Sequence, residues 1–295
     1  MHWHRGASSF LFQRLPHLVG RLYWPWLGNE CTKKFGNSRG ILCISFDNDM
    51  QIDNETAERV LELLASHKIR VSWAVIGIWV SKYLRLHHRM IELGHELMNH
   101  SWSHPDSLEL RPGDPRKFSQ ISFDEMRTEI ERNHEFVSKT LSYKMRGFRS
   151  PHFSTHVGDI QILSRLEYTY RSDSWALRTH NLGLAYNLNS GIVEMPLIGI
   201  PRQPARIFET YRIFRKPDGL YKNETTFYED FIALIKLVEL NKLVASIYLD
   251  AQDIVRLSKP GFDRYLKALN DADIDVLPYS EAVQKICSSS AGISA

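Results

Sequence analysis

His100 and His104 stand four residues apart in the run His100-Ser101-Trp102-Ser103-His104. On a helical turn this spacing points both imidazoles the same way. Two imidazoles and a carboxylate leave a fourth tetrahedral position open for water, the arrangement of catalytic zinc. Candidate carboxylates lie upstream: Asp47 and Asp49 flank Asn48. A hydrolase of this kind needs one carboxylate as metal ligand and another as base for the metal-activated water. The two aspartates can divide these roles, and spacing alone does not say how. Each feature also has an ordinary explanation. An isolated HxxxH is common in polar loops, and DNDMQIDNET also reads as a helix entry.

Further groups join them. Arg149 near Asp47 would keep that carboxylate ionised and oriented. Pro151 stiffens the next loop so that the backbone N–H of His152 can point inward, where an amide and a metal together stabilise a tetrahedral oxyanion. Asp250 closes the last long apolar run.

The elements that must carry these groups alternate. The run ILCISF (41–46) reads as a buried strand, and AERVLELLASHKI after it as a helix with an apolar stripe. Residues 71–80 give a second strand running into a turn at Gly77, and a helix follows, ending near Gly94. Strands are expected at 95–101, 145–150, 168–175, 192–197 and 243–250, with helices at 123–141, 156–167, 224–241 and 261–273. A last strand and helix close the pattern. The expectation is an α/β fold, a distorted (β/α) barrel with about seven parallel strands. In such barrels chemistry sits at the C-terminal ends of the strands, which is where all four charged clusters fall. The loop 111–119 lies close enough in sequence to cover the site.

Bulk properties are those of a globular protein. In 295 residues, 43% are hydrophobic and 24% charged. A net charge of +3, with no run of Lys and Arg, argues against nucleic acid as a partner. Three scattered cysteines, Cys31, Cys43 and Cys287, suggest buried thiols in a reducing compartment. The first 38 residues form an aromatic, basic arm, in which Pro16 should break a helix. The arm lacks the apolar stretch of an export signal, which points to a cytoplasmic protein. It either packs on the domain or, through Phe10, Phe12, Trp24 and Trp26, touches the inner membrane face peripherally. No segment approaches a membrane span. Residues 39–287 form the catalytic domain and 288–295 a frayed tail.

Taken in order, the motifs resemble those of the polysaccharide deacetylase family (NodB-homology carbohydrate esterases), over about residues 39–287. Ser45-Phe46-Asp47-Asn48-Asp49 stands for that family's first motif. His100-Ser101-Trp102-Ser103-His104 stands for its second, Arg149-Ser150-Pro151-His152 for its third, and Asp173-Ser174-Trp175 loosely for its fourth. The strand before Pro196 fits as well. The resemblance implies Asp47 as base and Asp49, His100 and His104 as metal ligands in an Asp-x-Asp variant, with Asn48 a weaker ligand. It also implies Arg149 and His152 in the catalytic machinery, and Pro151, Asp173 and Trp175 at the substrate.

One departure is marked. The last motif of the family ends in a histidine that protonates the leaving amine, and Asp250 stands in its place here. An aspartic acid serves only if burial or like charge raises its pKa toward neutrality; Asp253, His152 and His180 are substitutes. The implied cofactor is a divalent metal, zinc by default, with cobalt, nickel or iron compatible with the same ligands. The implied substrate is an N-acetylated sugar or glycan precursor, free or lipid-linked. Two alternatives stand beside this reading. One is another C–N hydrolase on the same scaffold, an amino-sugar deformylase or allantoinase-like amidohydrolase. The other is a catalytically decayed carbohydrate-binding protein.

Overall fold

A computed structural model describes residues 16–175, 181–188, 190–217, 219 and 221–289. Its centre is β1 (Gly40–Asn48), buried along its whole length, a largely apolar strand that ends in Asp47 and Asn48. Parallel neighbours extend from it in both directions. β2 (Ser72–Val75), β3 (Glu96–Asn99), β4 (Gly147–Phe148), β5 (Tyr170–Arg171) and β7 (Val193–Glu194) follow on one side, and β10 (Val244–Leu249) lies on the other. These seven parallel strands are the expected barrel strands. The residues after β7 close the ring. Met195 N donates to Arg171 O and Leu197 N to Ser174 O on one side, while Ile198 N donates to Ser246 O of β10 on the other (2.8 Å each).

Additions decorate this frame. β6 (Tyr186–Asn187) pairs antiparallel with β7. β8 (Gly199–Ile200) and β9 (Gln203–Ile207) form a separate hairpin. β11 (Ile274–Val276) pairs with Gly40–Leu42, the lower half of the β1 edge whose upper half, Ser45–Asn48, pairs with β2. Helices Gln51–Ser66, Phe123–Leu141, Glu224–Asn241 and Tyr279–Ser289 cover the sheet. Ser122 Oγ and Asn223 Oδ1 cap the second and third of these, each accepting from an amide three residues on.

Three expectations are corrected. A helix spans Pro16–Phe35, because proline at a first helical position loses no hydrogen bond; Pro25 lies within it. Its Tyr23, Trp24, Leu27, Cys31 and Phe35 are core residues, and Trp24 Nε1 donates to Pro201 O (3.1 Å). Trp24 therefore belongs to the fold and is not free for a membrane surface, whereas Trp26 is partly exposed; Phe10 and Phe12 lie outside the described residues. Gly28 is what lets this helix approach Glu224–Asn241: a Cβ there would sit 2.2 Å from Asn241 O. Gly77 does not make a turn but opens the helix Gly77–Lys82. Cys287 is exposed, unlike the buried Cys31 and Cys43. No helix among the described residues is long and apolar enough to cross a membrane.

Candidate metal centre and its cavity

The upper strand ends converge as expected. Asp47 lies within β1 at its upper end and Asp49 just beyond it, His100 follows β3, Arg149 follows β4 and Asp250 follows β10. Asp49 Oδ1 lies 3.1 Å from His100 Nε2 and 3.7 Å from His104 Nε2. Donors that share one tetrahedral zinc at about 2.0–2.2 Å stand roughly 3.3 Å apart, so these separations suit a common ion. Asp49 Oδ1, His100 Nε2 and both ring nitrogens of His104 are buried without a hydrogen-bond partner. Such orphaned atoms cost free energy unless something meets them, and an ion would. His100 Nδ1 donates to Arg149 O (2.7 Å), which leaves the Nε2 lone pair facing Asp49.

The loop that presents the histidines is not the helical turn expected from its spacing. Ser101 and His104 both have left-handed backbone, with φ of 67° and 52°. The loop is held from outside. Gly77 N and Ile78 N, at a helix start, donate to Ser101 O and Trp102 O (3.1 and 3.0 Å). Asn133 Nδ2 reaches Val75 O, Asn99 Oδ1 and Ser101 O. Glu129, one turn earlier on Phe123–Leu141, accepts from Ser103 N (2.7 Å) and Ser103 Oγ (2.6 Å). Sequence reasoning missed Glu129 and Asn133. Their i, i+4 spacing on an otherwise amphipathic helix was the available signal.

Arg149 is completely buried and spends its whole guanidinium on the site. Nη1 meets Asp47 Oδ1 (2.5 Å) and Ser45 Oγ (2.8 Å), Nη2 meets Ser172 Oγ and Tyr279 OH (3.1 Å each), and Nε meets Ser172 O (3.2 Å). Burial raises the Asp47 pKa, and Arg149 and His100 limit that rise. Burial presses His104 down to about 3, so its imidazole is neutral at ordinary pH and ready to ligate. Burial acts against ionised Asp49 as well, but His104 and His100 outweigh it and hold the carboxyl below its usual range.

A cavity of about 1000 Å³ opens above these groups. Its walls include Asp47, Asp49, His104, Asp106, His152, Tyr248 and Asp250. His152 and Phe153 have φ of 52° and 54°. The amides of Phe153 and Ser154 close this turn onto Ser150 O and Pro151 O. Pro151, Asp173 and Trp175, which the resemblance places at the substrate, are not among the residues that line this cavity. Asp173 lies behind the site, where its Oδ1 accepts from Ser150 N (2.5 Å) and so fixes the Arg149–Pro151 loop. Burial pushes Asp173 up to about 7, with Arg171 opposing. The loop 111–119 is not in the wall either; residues 106–109 are.

Asp250 has a partner that the sequence did not reveal. Arg215 forms an ion pair with Asp250 Oδ2 and donates through Nε to Asp253 Oδ2 (3.1 Å). Thr210 Oγ1 adds a contact to Asp250 Oδ2 (3.3 Å). One guanidinium thus serves a buried carboxylate cluster that includes Asp53. Burial raises Asp250 well above the usual range and Asp53 to about 7; Arg215 opposes, and neighbouring carboxylates reinforce the rise. His180, the remaining substitute, lies outside the described residues.

Residues 36–171 match the family model of polysaccharide deacetylase. The chain carries a polysaccharide deacetylase domain. The matched segment contains Asp47, Asp49, His100, His104, Arg149 and His152, and it stops before Arg215 and Asp250. A chitooligosaccharide deacetylase of Bradyrhizobium sp. is 36% identical over 55 residues, 19% of this chain and 25% of that protein. A peptidoglycan-N-acetylglucosamine deacetylase of Bacillus cereus is 22% identical over 111 residues, 38% of this chain and 36% of that one. The chain spans between about a fifth and about half of the length of the curated relatives it matches. A solved structure from Mycobacterium smegmatis shares the fold of the domain and its surroundings, with a TM-score of 0.67 at 13% identity, covering 85% of this chain and 92% of that one.

Proposed function

We propose that this protein is a divalent-metal-dependent hydrolase that removes an acetyl group from an N-acetylated sugar. The observation that carries the reading is the set Asp49, His100 and His104, whose buried donor atoms are unpartnered and at ion-sharing distances beside the Asp47–Arg149 pair. An ion held there, zinc by the donor set, supplies Lewis acidity toward a water and the amide carbonyl.

The chain's own residues do the rest. Asp47 takes the proton of the attacking water, and Arg149 holds its carboxylate toward the cavity. The His152 amide, outside the hydrogen bonds that close its turn, stabilises the oxyanion. Asp250, whose pKa is raised by burial and neighbouring carboxylates, supplies the proton that the leaving amine needs.

A second reading, a sugar-binding protein with a decayed site, draws on one observation: Arg215 pairs with Asp250, which favours its ionised form. Acetate release from a panel of N-acetylated saccharides, with and without chelator, separates the two. The proposal expects chelator-sensitive release. A stoichiometric metal with no release from any member sinks it.

A further inference from the structure

We propose that the cavity holds a second divalent-cation subsite, formed by His104, Asp106 and His152 next to the Asp49–His100–His104 set. It shares His104 with that set but goes beyond the catalytic reading, because Asp106 and His152 are its own. One ligand atom from each of the three residues lies within 4.8 Å of the others. Asp106 Oδ1 is 2.8 Å from His152 Nε2, and the His104 and His152 rings stand nearly perpendicular, 4.7 Å between centroids.

Two observations point to a ligand and not to a simple ion pair at the mouth. His104 is 2% exposed, and both its ring nitrogens lack a partner, so after one meets the first ion the other is still unmet. Asp106 Oδ1 is likewise buried and makes no well-aligned hydrogen bond, with His152 Nε2 standing 2.8 Å away. A buried imidazole with no acceptor or donor on either side is costly to maintain.

The chemistry fits a borderline cation. Two ring nitrogens and one carboxylate suit zinc, cobalt or nickel better than magnesium or calcium, which prefer oxygen. His152 is half exposed, leaving room for water to complete the shell. Charge and protons balance if His104 gives up its remaining ring proton to solvent and presents one nitrogen to each ion. The donors sit on loops after β3 and β4, and all three have left-handed backbone: φ is 52° at His104, 69° at Asp106 and 52° at His152. Two loops far apart in sequence hold this uncommon conformation where their side chains meet.

Zinc titration of the chelator-stripped full chain, by calorimetry and by metal analysis after dialysis, tests the subsite. The expectation is two equivalents for the unaltered protein and one for Asp106→Asn and for His152→Gln. Asp49→Asn should remove the other equivalent and spare the second. Unchanged circular dichroism in each variant guards against misfolding. One equivalent throughout, indifferent to Asp106→Asn and His152→Gln, overturns the second subsite and leaves the proposed function standing. One equivalent that either variant abolishes also overturns it, since a single ion is then shared by all five residues. No zinc bound at all overturns both.

Discussion

Replacing Arg149 by methionine strands Asp47, and the consequence can be worked out from the geometry. Arg149 is fully buried, the Asp47 side chain is 5% exposed, and they meet at 2.5 Å. With the charge centres about 4 Å apart and an effective dielectric of about 20, their attraction is about 4 kcal/mol. Breaking a buried pair by removing one partner costs about 3–5 kcal/mol, because the survivor keeps its desolvation cost and loses its counter-charge. Arg149→Met and Asp47→Asn should each destabilise the fold by that order. The double variant leaves no buried charge at either position, so its loss should fall short of the summed single losses by roughly 3 kcal/mol. Urea denaturation of the four proteins at pH 7 measures this coupling. Metal content should survive in Asp47→Asn, since Asp47 is not a ligand in this scheme. A coupling below about 1 kcal/mol would refute the view that Arg149 is retained chiefly for Asp47. The Ser45, Ser172 and Tyr279 bonds would then be its main reason for being there.

Three further outcomes are expected. Glu129→Ala removes the acceptor of two Ser103 bonds behind the histidine loop, and zinc affinity by competition titration should fall about 10–100-fold with secondary structure intact. Asp173 has a folded pKa raised to about 7, so the folded state holds its proton more tightly than the unfolded chain. Its contribution to stability is therefore full below the unfolded value near 3.9 and fades as pH rises through about 7; Asp173→Asn should flatten that part of the stability–pH curve relative to the unaltered protein. Asp250→Ala should cut turnover strongly while metal content stays whole, and unchanged acetate release would place the proton donor elsewhere.

Much of the fold was legible because burial writes itself into sequence. A strand covered on both faces is largely apolar, and ILCISF and LVASIYLD are, apart from Ser45, Ser246 and the terminal Asp250. A surface helix shows its stripe, and Glu224–Asn241 falls where its periodicity places it. The segment 199–215 was not legible in this way. Its hairpin strands and its four-residue helix, Tyr211–Phe214, are too short to carry a period, yet they deliver Tyr211 and Arg215 to the cavity.

The same division runs through the site. Residue type and spacing determined which donors exist: Asp47, Asp49, His100, His104 and Arg149 announce themselves, since metal and proton chemistry admits few side chains. Only the tertiary structure decided what surrounds them. His100 and His104 converge through a left-handed loop pinned by Gly77, Glu129 and Asn133, not through a helical turn. Asp173 holds the Arg149–Pro151 loop through Ser150 N, and Asp106 and His152 line the cavity. Arg215 reaches Asp250 across 35 residues of chain. The physical reason is one of range: periodicity and spacing report neighbours within a few residues. Burial, desolvation and charge pairing depend on groups brought together by barrel closure, and those left no mark on the local sequence.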